Sequence, residues 1–205
     1  VSPDPLGLPP GPHVAPQAGL LLAVVGPSGA GKDTLIRLAL ERLGPEPRLH
    51  LARRVVTRAC DGQSEAHDSL DEPGFARAEA AGAFCLTWRA HGLAYGLPML
   101  VREQVGEGKL VLANLSRRAL SEAARRFGRL ALVEITAPPA VLAARIAARG
   151  RESEADILAR LSRPAHLEQP PGTHSSLRID NSGTPEDGAD QLARHIKALL
   201  AELPA

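Results

Sequence analysis

Seven consecutive residues, Gly26-Pro27-Ser28-Gly29-Ala30-Gly31-Lys32, carry the strongest chemical signal in the chain. Glycines at the first, fourth and sixth places let a backbone curl until successive N–H groups point inward at an anion. A lysine closing such a loop is a point charge that reaches the β- and γ-phosphates of a nucleotide. Lysine is scarce here, with Lys32, Lys109 and Lys197 the only three among 24 basic residues. The bland alternative is a glycine-rich turn with a chance lysine. It is disfavoured because an apolar run at 20–25 enters the loop and a helical pattern at 32–43 leaves it. A helix starting there adds the partial positive charge of its N-terminus. Residues Gly26 to Thr34 are therefore the candidate nucleotide-phosphate site. One position departs from the general rule: Asp33 stands where a serine or threonine would ligate Mg²⁺, and Thr34 follows it. Aspartate is a hard oxygen ligand, able to hold Mg²⁺ directly or through water.

The elements that must position this loop follow from periodicity. The run at 20–25 is continuously apolar, as in a strand buried on both faces. Further strands are expected at 54–56, 110–113, 130–135 and 177–179. Helical patterns lie at 75–81, 97–107, 117–127, 140–148, 153–166 and 185–203. Alternation of this kind predicts an α/β domain around a mostly parallel sheet. The 205 residues, 44% hydrophobic with a net charge of +1, suffice for one such core and exclude a wholly disordered chain. The charge balance also argues against nucleic acid as a partner, and 2% aromatic content leaves little for base stacking. Cys60 and Cys85 form no metal-like cluster and read as ordinary thiols of a reducing compartment. No run approaches the length of a membrane helix, and residues 1–19, rich in proline and glycine, read as an extended tail without a secretory pattern. The expectation is a cytoplasmic protein with no membrane partner and an oligomeric state the sequence leaves open.

Beyond the loop, Val56-Thr57-Arg58, Ser64-Glu65-Ala66-His67, Trp88 to Gly96, Asn114-Leu115-Ser116-Arg117 and Arg149-Gly150-Arg151-Glu152 follow in order. With these, the chain resembles guanylate-kinase-like phosphotransferases, and within them the ribose 1,5-bisphosphate phosphokinases of phosphonate utilisation. The resemblance implies a P-loop NTPase three-layer fold with small acceptor-binding (about 57–97) and lid (about 149–163) segments. It also implies ATP and Mg²⁺ as cofactors, and a sugar phosphate that accepts the γ-phosphoryl group to give 5-phosphoribosyl 1-diphosphate. Guanylate kinases carry a guanine-reading Glu where this chain has Thr87, and Ser or Thr where it has Leu97. Their acidic strand-end motif is replaced by Ala113-Asn114-Leu115-Ser116. A buried pocket lacking acceptors for guanine rejects it. The competing readings are a nucleoside monophosphate kinase and a non-catalytic interaction domain of the same fold.

Within that resemblance Arg58 is the first candidate for an acceptor phosphate, because a guanidinium fork matches phosphate oxygens. A surface arginine is its bland alternative. Tyr95, the only tyrosine, has a hydroxyl to donate to the same phosphate, or is simply packed. Glu65, His67 and Asp68 suit vicinal ribose hydroxyls, with a solvated polar loop equally compatible; a metal held by His67 and Asp68 is a weaker reading. Arg117 is a candidate to face the acceptor. Arg149 and Arg160 are expected in a lid closing over the ATP phosphates, against an arginine-rich helix paired with residues such as Asp156. Trp88 reads as packing.

Overall fold

The computed structural model describes residues 18–58, 67–90, 92–148 and 167–204. Two sheets are present among them. The first contains β1 (Leu20–Val25), β2 (Leu49–Leu51), β7 (Leu110–Asn114), β8 (Leu130–Thr136) and β9 (Ser175–Asp180), in the order β2-β7-β1-β8-β9. Every pairing in it is parallel. The second contains β3 (Arg54–Val56), β4 (His67–Ser69), β5 (Phe84–Ala90) and β6 (Leu93–Pro98), in the order β4-β3-β6-β5 and of mixed direction.

The central strand explains the layering. β1 is buried at all six residues, and its side chains alternate between two cores. Leu20, Leu22 and Val24 pack with Leu35, Ile36 and Ala39 of α1 (Lys32–Leu43) and with Leu192, Ile196 and Leu199 of α6 (Pro185–Ala201). Leu21, Ala23 and Val25 pack with Val101 and Val105 of α3 (Met99–Gly106) and Ala123 and Phe127 of α4 (Leu120–Phe127). This second core also takes in Leu86, Trp88 and Leu97, which seats the mixed sheet on the parallel one. Helices on both faces of a parallel sheet form the expected three layers.

α1, β1 and β3 have the expected bounds, and β7, β8 and β9 run one or two residues further. Other elements differ for identifiable reasons. Helix α2 (Glu72–Ala80) starts before the expected 75 because the Asp71 carboxylate accepts from Gly74 N–H at 2.8 Å and caps it, with Pro73 in the first turn. Leu97 and Pro98 are strand rather than helix: Leu97 pairs with Leu86, and α3 begins only at Met99. Residues 117–119 form a 3₁₀ turn capped by Ser116, ahead of α4. α5 (Pro139–Ala147) and α6 shift by one or two residues from the expected spans. Strands β2, β4, β5 and β6 were not expected at all: two are three residues long, β5 contains a register shift between Phe84 and Leu86, and β6 holds a glycine and ends in a proline. At the end of the tail, Gly19 N–H donates to Val105 O at 3.0 Å. The helix expected at 153–166 lies outside the described residues.

Candidate functional site

The loop between β1 and α1 is shaped by two glycines with no alternative. Gly26 has φ +152°, and a Cβ there would stand 2.1 Å from the carbonyl oxygen of Ile135 on β8. Gly31 has φ +87° and caps α1 in the left-handed region; a Cβ there would stand 2.5 Å from Asn181 Nδ2. Among the described residues no side chain caps α1, so its first N–H groups face the loop, a ready anion site. The Lys32 ammonium donates to Gly26 O at 3.0 Å and Pro27 O at 3.1 Å, and so stands over the curl it terminates. Ser28 and Thr34 are exposed, while Gly29 and Ala30 are buried.

Two asparagines at strand ends brace this loop. Asn181, one residue past β9 and 2% exposed, donates through Nδ2 to Ala30 O at 2.8 Å. Its own N–H donates to Thr136 O, which continues the β8–β9 ladder to the loop. Asn114 ends β7 in register with Val24 of β1 and donates through Nδ2 to Asp33 Oδ1 at 2.8 Å. Sequence reasoning quoted Asn114 without a role and missed Asn181, whose only signal is a polar residue directly after an apolar strand. Beside the loop an open cleft of about 260 Å³ is lined by Gly29, Gly31, Thr34, Arg145, Asn181 and Pro185. Arg145 Nη1 is buried there without a hydrogen-bond partner among the described residues.

The mixed sheet carries the other candidates. Registered partners in adjacent strands share a face, so Trp88, Tyr95 and Val56 form one row and Arg54 with His67 the next. Trp88 and Tyr95 stack with centroids 5.3 Å apart and planes 6° from parallel. The Arg54 guanidinium lies 5.8 Å from the Tyr95 centroid, a cation over a ring face. Arg54 and His67 are both buried. Arg58 follows Thr57, whose N–H donates to Ala94 O and whose hydroxyl accepts from Ala94 N–H, so it leaves the sheet beside the Tyr95 strand. Arg54 was missed because its place at the start of a short strand suggested structure alone.

The opposite face of this sheet corrects one grouping. Asp68 pairs in register with Val55, not with the row of His67, and binds exposed Arg53 at 2.8 Å. His67 and Asp68 therefore point to opposite faces and do not share a metal ion or a diol. Thr87 lies on the Asp68 face too, where its hydroxyl and Arg89 hold the Glu79 carboxyl below the usual carboxylate range. Arg117 Nη2 meets Glu134 Oε1 at 3.4 Å on β8. Cys85 is buried and donates to Leu97 O and Pro98 O, and burial pushes its thiol up to about 11, so it offers no nucleophile. Arg149, Arg160 and Glu65 lie outside the described residues. Among the described residues no three His, Cys, Asp or Glu side chains cluster, and no helix is long and apolar enough to cross a membrane.

No model of a known protein family matches the chain. Curated relatives do. It is 48% identical over 180 residues to ribose 1,5-bisphosphate phosphokinase PhnN of Methylobacterium radiotolerans, which spans 88% of this chain and 98% of that protein. It is 41% identical over 194 residues to the protein of the same name from Rhizobium etli, which spans 95% and 98%. Among solved structures, guanylate kinase from Anaplasma phagocytophilum superposes with a TM-score of 0.60 over 91% of this chain and 87% of that one, at 19% identity. That likeness supports a guanylate-kinase-like fold.

Proposed function

This chain belongs to the ribose 1,5-bisphosphate phosphokinase family, and on that premise we propose that it transfers the γ-phosphoryl group of ATP to the 1-phosphate of ribose 1,5-bisphosphate. The products are 5-phospho-α-D-ribose 1-diphosphate and ADP. The observation that carries this reading is sequence identity of 48% extending over 98% of the length of a relative so named.

The residues suit the chemistry. The nucleophile is an oxygen of the 1-phosphate, already ionised near neutral pH, so the protein need not abstract a proton. That oxygen forms a bond to the γ-phosphorus as the bond to the β-bridging oxygen breaks, and ADP leaves with the electron pair. Catalysis is then positioning and charge neutralisation. The N–H groups of the loop from Gly26 to Lys32 bind the nucleotide phosphates, with Asp33 and Thr34 at the start of α1. Lys32 exchanges its two loop carbonyls for phosphate oxygens of ATP. Arg58 and Tyr95 hold an acceptor phosphate, with Arg54 orienting the Tyr95 ring from above, and His67, Glu65 and Arg117 complete the acceptor side. Arg149 and Arg160 close over the transferring group and exclude water. Position 87 is a threonine rather than a guanine-reading glutamate, and its hydroxyl binds Glu79 on the other face of the sheet from Tyr95.

Magnesium fits the donors present. The Asp33 carboxylate is a hard oxygen ligand at the mouth of the loop, and Mg²⁺ takes few protein ligands when phosphate oxygens complete its shell. Asn114 Oδ1 is buried beside it without a hydrogen-bond partner among the described residues. Asp33 would hold the ion, which when bound neutralises charge on the transferring phosphoryl group. The test supplies ATP and Mg²⁺ with either ribose 1,5-bisphosphate or GMP and follows ADP release. Turnover that is faster by orders of magnitude with the sugar bisphosphate is the expected outcome. Faster GMP turnover would make the chain a nucleoside monophosphate kinase.

A further inference from the structure

A general pattern in phosphate-loop enzymes divides the metal's protein partners between a neutral hydroxyl directly after the loop lysine and an acidic residue at the end of a neighbouring strand. Here the two chemistries stand at each other's positions. The residue after Lys32 is the acid, Asp33, and the residue ending the adjacent strand β7 is the neutral amide, Asn114. Backbone geometry makes them partners, because Asn114 is in parallel register with Val24 of β1, the strand that feeds the loop. Leu115 N–H then donates to Val24 O, so the strand end is held up to its last residue.

The contact has only one sensible polarity. Asn114 is 6% exposed, and its Nδ2 donates to Asp33 Oδ1 at 2.8 Å. Turning the amide over would set its carbonyl oxygen against a carboxylate, two acceptors with no proton between them. The amide therefore fixes one carboxylate oxygen and leaves Asp33 Oδ2 outside this contact. An amide is also the right neutral partner here: an aspartate at 114 would bury a second negative charge against the first.

We propose that Asn114 is a positioning residue that orients the Asp33 carboxylate toward the divalent cation, and that Asp33 and Asn114 work as one unit in which acid and neutral donor have exchanged places between loop and strand. The inference rests on the phosphoryl-transfer reading above. It differs from a merely structural role for Asn114 because it ties the residue to metal affinity, and because it makes the exchange reversible. Returning the acid to the strand and a hydroxyl to the loop restores a working pair.

The experiment titrates Mn²⁺ by electron paramagnetic resonance into full-length protein holding a non-hydrolysable ATP analogue, and separately measures the analogue's affinity in EDTA. Asn114→Ala is expected to weaken Mn²⁺ roughly tenfold or more, the usual cost of removing a residue that orients a ligand. Its metal-free nucleotide affinity should stay within about twofold, since the loop N–H groups remain. Asn114→Asp and Asp33→Thr should each lose Mn²⁺ affinity, and the double variant Asp33→Thr/Asn114→Asp should recover most of it. Unchanged Mn²⁺ affinity in a folded Asn114→Ala protein would overturn the proposal. So would a double variant as weak as its two singles combined, which keeps the test decisive if the alanine variant fails to fold. A wild-type protein that binds no nucleotide at all would instead bring down the phosphoryl-transfer reading, and this inference with it.

Discussion

Under the proposed function, the loop around Lys32 would present backbone to its ligand, whereas the sheet around Tyr95 would present side chains. The loop at the end of β1 is a curl of N–H groups forced by Gly26 and Gly31 and braced by Asn181 and Asn114. The mixed sheet instead assembles Arg54, His67, Tyr95 and Trp88 from four separate strands whose register alone brings them together. A backbone site is rigid and generic, since any nucleotide has phosphates. A side-chain site is where specificity resides, because each member can be exchanged without rebuilding the sheet. On the proposed reading, the parallel core carries the phosphate loop while the second sheet would set the acceptor.

The largest expected effect breaks the backbone side. Lys32→Ala should lower kcat by roughly 10²–10³, the order seen when one charge-stabilising donor is removed, while circular dichroism shows an unchanged fold. Lys32 is a member of neither apolar core, so wild-type kcat in this variant would remove the loop from the mechanism. Next comes Arg58→Ala, expected to raise the acceptor KM on the order of ten- to a hundredfold, as for a lost charge-assisted hydrogen bond. Its ATP KM should stay level. Were only the ATP KM to move, Arg58 would belong to the nucleotide side and the division between the two sheets would fail.

The smallest effect probes the joint between the sheets. Cys85 sits on β5 inside the core shared with β1, and burial raises its thiol from 9.0 to about 11. A raised value in the folded state means that its contribution to stability is complete below pH 9.0 and is lost as pH rises toward 11. In a Cys60→Ser background, labelling of Cys85 by a thiol reagent at pH 8 should be slower than in denaturant by on the order of a hundredfold, from the thiolate fraction alone. Rapid labelling of the native protein would show the mixed sheet opening from the parallel one.

The same contrast explains what was legible in the sequence. The strand, loop and helix from Leu20 to Leu43 were readable to the residue because each signal is local: an apolar run, glycines, then an amphipathic repeat. Strands β7 and β8 were also readable, being largely buried on both faces. Strands β4 and β6 were not, since His67-Asp68-Ser69 has no apolar alternation and β6 owes its state to pairing with β3 and β5. Arg54 and Asn181 escaped notice because their significance is long-range, 41 residues from Tyr95 in one case and 151 from Ala30 in the other. The split of His67 from Asp68 follows from strand alternation, a fact available only once β4 is known to be a strand.

The proposed reaction is read most directly from the bond that forms. Phosphorus-31 NMR of the protein with ATP, Mg²⁺ and ribose 1,5-bisphosphate should show the lone 1-phosphate resonance replaced by two mutually coupled diphosphate resonances, as ADP accumulates one for one. An unchanged 1-phosphate signal under conditions where the protein consumes ATP with GMP would exclude ribose 1,5-bisphosphate as the acceptor.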